Sequence, residues 1–176
     1  MNIKFHKTLE VYRCSWKVVS KTTEEESVLS SENQEVINFE EAMELEKKFF
    51  NQIKRCDALS IYNKKTIALI EFKMLKNFLN FDKEFKLKKA KEISEQLIKS
   101  WESLNYLSWA NHFGSVIFIC AISSDWDENH SKNRQKLEEF KEMININLEE
   151  EKLKNKIEIY TSNTFRYKKF SLKFEL

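Results

Sequence analysis

The sequence predicts one α/β domain in which a mixed central sheet is flanked by helices. Three observations predict it. Arg55–Tyr62 and Thr66–Lys73 are two apolar runs of strand length around a polar Asn63-Lys64-Lys65 break, a β-hairpin pattern. The second run is nearly continuous Ile, Ala and Leu, as in a strand covered on both faces. A long amphipathic stretch then precedes another buried run, Ser115–Ile122, which adds a further strand to the sheet with a helix packed on it.

In chain order, residues 9–19 come first. Tyr12, Cys14, Trp16 and Val18 alternate with polar residues, so a half-buried strand is expected. Residues 20–36 are rich in Ser, Thr and Glu and read as a loop. Phe39, Ala42, Met43, Phe49, Phe50 and Ile53 recur at helical spacing, predicting an amphipathic helix over about 38–54. The hairpin supplies strands 57–62 and 66–73. Leu87, Ala90, Ile93, Leu97, Trp101 and Leu104 mark a long helix over about 84–110. Gly114 opens the strand 115–122. Leu137, Phe140, Ile144 and Leu148 mark a helix over about 131–152, followed by strands at 157–161 and 170–175. No internal repeat or linker divides the 176 residues, so a single domain spanning 1–176 is expected.

Composition excludes several classes of function. With one glycine and no proline, the chain has no Walker A loop, dinucleotide fingerprint or nucleophile elbow. His6, His112 and His130 have no metal-ligand spacing, and Cys14, Cys56 and Cys120 are scattered. A net charge of +2 gives no global signature of nucleic-acid binding, so any such surface must be local. No apolar run reaches the roughly 18 residues of a membrane helix, and residues 1–7 lack the core of a signal peptide. A cytoplasmic protein with no membrane partner is expected.

The chemistry concentrates on the hairpin. Glu71 and Lys73 lie two apart on a strand and share one face. If Tyr62 faces Thr66, Asp57 stands directly opposite Glu71, where like charges about 4.5–5.5 Å apart repel. A divalent cation would turn that repulsion into a binding site, whereas a slip of one residue would separate the two acids. The bland alternative is a strand end with an ion pair. Glu-x-Lys also occurs at Glu46–Lys48, Glu84–Lys86, Glu139–Lys141 and Glu150–Lys152, but only Glu71–Lys73 closes an apolar strand. Asp is scarce, with four residues against twenty-four Glu. Glu46 sits within the apolar stripe of the 38–54 helix and needs a partner, either a rim cation or the same metal site. Lys83, Lys86, Lys88, Lys89 and Lys91 line the start of the long helix. They are either a solvated face or contacts to a phosphate backbone. A rival centre, Asp125-Trp126-Asp127, also reads as a polar loop leading to a helix.

Helix, Asp-bearing hairpin, strand ending in Glu-x-Lys, long helix and buried strand together resemble the PD-(D/E)XK nuclease superfamily over about residues 38–122. The resemblance implies a restriction-endonuclease-like fold and a metal-dependent nuclease, with DNA favoured over RNA. It implies Asp57 and Glu71 as metal ligands and Lys73 as the lysine that orients or deprotonates the attacking water. Glu46 resembles the glutamate many members carry on the first core helix. Gln96 resembles a glutamine that some members place on the next helix. Two oxygen ligands with the Phe72 carbonyl between them suit Mg²⁺ or Mn²⁺. The sequence departs from the pattern in three places. Cys56 stands where the motif has proline, no extra strand precedes Asp57 unless residues 9–19 supply it, and Gln96 lacks the full RecB-like context. The alternative is a nucleic-acid- or protein-binding module that keeps this fold without catalysis. A homodimer or protein partner is left open.

Overall fold

The computed structural model describes residues 11–15, 21–23, 26–27, 35–46, 54–63, 66–75, 80–107, 109–123, 131–148, 153 and 156–161. In chain order the elements are β1 (Arg13–Ser15), β2 (Lys21–Thr23), β3 (Glu26–Ser27), β4 (Glu35–Asn38), α1 (Phe39–Glu46), β5 (Ala58–Asn63), β6 (Thr66–Met74), α2 (Lys83–Tyr106), a 3-10 turn (Trp109–His112), β7 (Ser115–Ser123), α3 (Ser131–Asn147) and β8 (Ile157–Thr161). Six strands form one mixed sheet in the order β1-β4-β5-β6-β7-β8, and β2 pairs with β3 in a separate ribbon. The chain is therefore α/β with a mixed sheet flanked by helices.

β6 is a central strand, antiparallel to β5 on one side and parallel to β7 on the other. A parallel neighbour needs a crossover, and α2 supplies it. The α3 helix provides the second crossover, to β8. Side chains alternate across the sheet. Leu59, Ile67, Leu69, Phe118, Cys120 and Ile122 join Ala90, Ile93 and Leu97 of α2 and Phe140 and Ile144 of α3 in the main core. Ala58, Ala68, Ile70, Phe72, Ile119 and Ala121 form a second cluster on the opposite face. Residues 57, 71 and 73 share the parity of 59, 67 and 69. Their side chains therefore belong to the helix-covered face.

The helices α1 and α2 are capped at their N-termini by side chains. Asn38 Oδ1 accepts from the Glu41 N–H at 3.2 Å, and Asn38 Nδ2 donates to Glu41 Oε2 at 3.0 Å, a reciprocal cap that starts α1 at Phe39. Asp82 Oδ1 accepts from the Phe85 N–H at 2.7 Å at the start of α2. No helix among the described residues is long and apolar enough to cross a membrane.

The structure corrects the sequence reading in several places. The expected loop 20–36 contains β2, β3 and the start of β4. The strand beside β5 is β4, not residues 9–19. β1 lies outside β4 at the sheet edge. β4 escaped notice because it is four residues long, with two adjacent apolar residues that point to opposite faces. Val36 enters one cluster and Ile37 the other. At the hairpin turn Asn63, not Tyr62, pairs with Thr66 through an irregularity, while Ala58–Ile61 keep the expected register. Leu87 is 43% exposed, so the α2 stripe enters the core only at Ala90 and the first turns project beyond it. Residues 47–53, Asp125, Asp127 and the 170–175 strand lie outside the described residues.

Candidate active site

Three elements place Asp57. The β5–β6 ladder pairs Ala58 with Ile70, so one step further Asp57 faces Glu71. Asp57 Oδ2 accepts the Phe72 N–H at 2.7 Å, which fixes the carboxylate at the end of the strand pair. The Phe39 N–H donates to the Asp57 carbonyl at 3.1 Å, bringing the first turn of α1 alongside. Glu71 is only 1% exposed. Its Oε1 lies 2.5 Å from Lys73 Nζ, and its Oε2 is buried with no hydrogen-bond partner. Lys73 Nζ also donates to Gln96 Oε1 at 2.9 Å and lies 3.7 Å from Glu92 Oε1.

A polar ladder on α2 holds the lead-in to Asp57. Gln96 Nε2 donates to the Arg55 carbonyl at 3.3 Å, Ser100 Oγ accepts the Cys56 N–H at 2.8 Å, and Ser103 Oγ accepts from Arg55 Nε at 2.8 Å. The spacing of four and then three residues puts all three on one helix face. Residues 54–56 form no ladder with a strand, so Gln96 and Ser100 supply hydrogen bonds that buried backbone requires, while Ser103 holds the Arg55 side chain.

The site is electrostatically crowded. Burial, reinforced by the Glu71 charge, pushes the Asp57 pKa up to about 8, against the opposing effects of the Phe72 N–H and Lys73. Burial also raises the Glu71 pKa, although Lys73 and the nearby Gln96 side-chain amide work against it. Burial opposes the Lys73 charge, but the Glu71 carboxylate outweighs it and the lysine pKa is raised. Lys73 is therefore an ammonium held by Glu71 and Gln96. In the absence of metal it is not the lowered-pKa base that proton abstraction requires. Burial also lifts the Cys56 and Cys120 thiols well above their ordinary range, with Glu71 adding to the effect.

Asp57, Glu71, Phe72, Lys73, Lys89 and Gln96 line one cleft of about 510 Å³. Glu40, Lys54, Phe81, Phe85 and Glu92 share it and were not singled out in the sequence. Glu46 ends α1, and its side chain lies outside what is described. Among the described side chains of α1, Glu40 reaches the cleft, and its charge raises the pKa of both Asp57 and Glu71. The apolar stripe drew attention to Glu46. The Asn38-x-x-Glu41 cap was the signal that puts Glu40 in the first turn. Lys83, Lys88 and Lys91 are exposed on α2 and are not among the cleft-lining residues. Lys86 is half-buried, and burial with Lys136 nearby lowers its pKa.

Among the described residues no group of three His, Cys, Asp or Glu side chains forms a ready-made metal cage. The donor set nevertheless fits Mg²⁺ or Mn²⁺. Such hard cations are commonly held by one or two carboxylates, with water and substrate phosphate completing the shell. Two facing carboxylates are present, and buried Glu71 Oε2 makes no close hydrogen bond, with the Gln96 amide nearby. No family model matches the chain, and comparison with curated proteins and solved structures finds no match.

Proposed function

We propose that this chain is a Mg²⁺- or Mn²⁺-dependent nuclease of the PD-(D/E)XK type with a restriction-endonuclease-like core, acting on DNA in preference to RNA. The choice of DNA rests on the family resemblance alone. The observation that carries the reading is the facing pair Asp57 and Glu71 beside Lys73, with Glu71 buried at the end of the β5–β6 strand pair. The antiparallel β4–β5–β6 meander, joined through α2 to a parallel β7, supports the fold assignment.

Asp57 and Glu71 would hold the cation. When bound, it supplies Lewis acidity toward the phosphate and lowers the pKa of water, the two requirements of phosphodiester hydrolysis near neutral pH. Lys73, carrying its proton, places positive charge where the phosphate accumulates negative charge in the transition state. Gln96 orients Lys73 and ties it to the Arg55 carbonyl. Glu40 adds negative charge at the rim and favours cation entry.

The second reading, a binding module without turnover, draws on Lys73 itself, because its ammonium already neutralises Glu71 in the absence of metal. Incubation with end-labelled DNA separates the two readings. The nuclease reading expects fragments with Mg²⁺ or Mn²⁺ and none in EDTA, while the binding module yields none in either. Lys73→Ala is expected to slow turnover by about 10²–10³-fold, the scale for removing one transition-state charge donor. Its calorimetric Mn²⁺ affinity should stay close to wild type. Unchanged turnover would make Lys73 a structural counter-ion.

A further inference from the structure

Four α2 residues line the cleft at spacings of four, three and four: Phe85, Lys89, Glu92 and Gln96. They form a single helix face. Its lower end, Gln96 and Glu92, meets Lys73. Its upper end lies in the turns that project past the core, where Leu87 and Lys88 are exposed. There the Phe85 ring lies against Phe81, with centroids 4.3 Å apart and planes tilted by 50°. Lys89 Nζ lies 5.9 Å from the Phe85 centroid, within cation–π range. Phe81 is anchored on the main core, and both rings are only partly buried in the cleft wall.

An aromatic pair beside a lysine, a few turns from a recessed phosphate-handling site, has the chemistry of a nucleobase platform. We infer that Phe81 and Phe85 stack an unpaired base adjoining the bound phosphate, while Lys54 attracts the neighbouring backbone and Lys89, which donates to Glu92 Oε2 at 2.7 Å, exchanges that carboxylate for a backbone phosphate. The chain would then take single-stranded DNA or frayed ends in preference to intact duplex. This rests on the nuclease reading for the place of the phosphate. Two physical arguments support it. Glu71 is almost wholly buried at the cleft floor, so a strand must enter the cleft to reach it, and a base still stacked in a duplex is not free to follow. Stacking on an aromatic face with flanking cations is also how single strands are held without sequence preference.

The test uses the full chain carrying Asp57→Asn, which removes turnover and one repelling carboxylate. Fluorescein-labelled oligothymidylate of about 15 nucleotides, within the span such sites cover, is titrated in Mg²⁺ and followed by anisotropy. A blunt duplex of the same length is titrated in parallel. The single strand is expected to bind about tenfold or more tighter than the duplex. Phe85→Leu keeps apolar volume but loses the ring, and should weaken single-strand binding about tenfold. Phe85→Trp should restore it. Equal binding of the two DNAs, no binding of either, or a Phe85→Leu protein indistinguishable from its parent would overturn the inference. The strand preference is read on the parent protein and survives any folding defect in the variants. If the binding pattern holds while wild type cuts nothing in Mg²⁺ or Mn²⁺, the nuclease reading fails and the platform stands. If wild type cuts duplex and single strand equally and Phe85→Leu changes neither rate, the platform fails and the nuclease reading stands.

Discussion

Asp57→Asn and Glu71→Gln are each expected to reduce Mn²⁺-supported DNA cleavage by about a thousandfold or more, because each removes one of two cation-holding charges on which the chemistry depends. Both proteins should remain folded. Asn keeps an oxygen for the Phe72 N–H, and Gln keeps the volume of a fully buried side chain. Gel assays of cleavage, alongside melting curves of the same preparations, check both parts. Activity within tenfold of wild type in either variant would remove that carboxylate from the site. Loss of activity together with loss of folding would assign it a structural role.

In metal-free protein, stability should fall as pH rises from about 4 to about 8. An unfolded aspartate titrates near 3.9, whereas folded Asp57 holds its proton up to about 8. Between those values the folded state binds a proton that the unfolded state has released, so the slope of stability against pH is negative. Asp57 stays fully charged above that window, and its contribution no longer changes. The cleft is open to solvent, so the expected size is on the order of 2 kcal/mol rather than the whole nominal shift. For a chain of this length that is about 4–8 °C in Tm. Other carboxylates also titrate, so the quantity to measure is the Tm of Asp57→Asn minus that of wild type, in EDTA, from pH 4.5 to 8.5. The difference should grow with pH in favour of the variant and shrink when Mn²⁺ is added to both. A difference independent of pH would mean that Asp57 is not forced to choose between burial and charge.

How far these features were legible in the sequence depended on whether a signal was local. The continuous apolar run Ile67–Ile70 is legible as a central strand because burial on both faces removes the usual alternation. The opposition of Asp57 and Glu71 follows from the register of Ala58–Ile61 against Ile67–Ile70, which the buried faces hold even though the turn itself is irregular. The core face of α2 is legible from Ala90 onward, where helical period and burial coincide. Other features depended on tertiary neighbours. β4 is a strand because β1 and β5 supply partners on both sides, and its four residues carry too little pattern alone. The Gln96–Ser100–Ser103 ladder consists of residues that look like ordinary polar positions until the backbone of residues 55–56 lies against them. Phe85 falls outside the 3.6-residue core stripe because its face of α2 points to the cleft, and Phe81 precedes the helix. Glu40 carries no apolar-stripe signal and owes its place to a helix cap and one backbone hydrogen bond.

The central claim is that Asp57 and Glu71 form a cation site, and isothermal titration with Mn²⁺ at pH 7.5 tests it most directly. Wild type should bind with a clear single-site isotherm, and Asp57→Asn should bind about a hundredfold or more weakly, at or beyond the upper end of losses seen on removing supporting groups alone. Wild-type protein that binds Mn²⁺ no better than Asp57→Asn would contradict the account, leaving Asp57, Glu71 and Lys73 as a buried ion-pair cluster within a non-catalytic binding module.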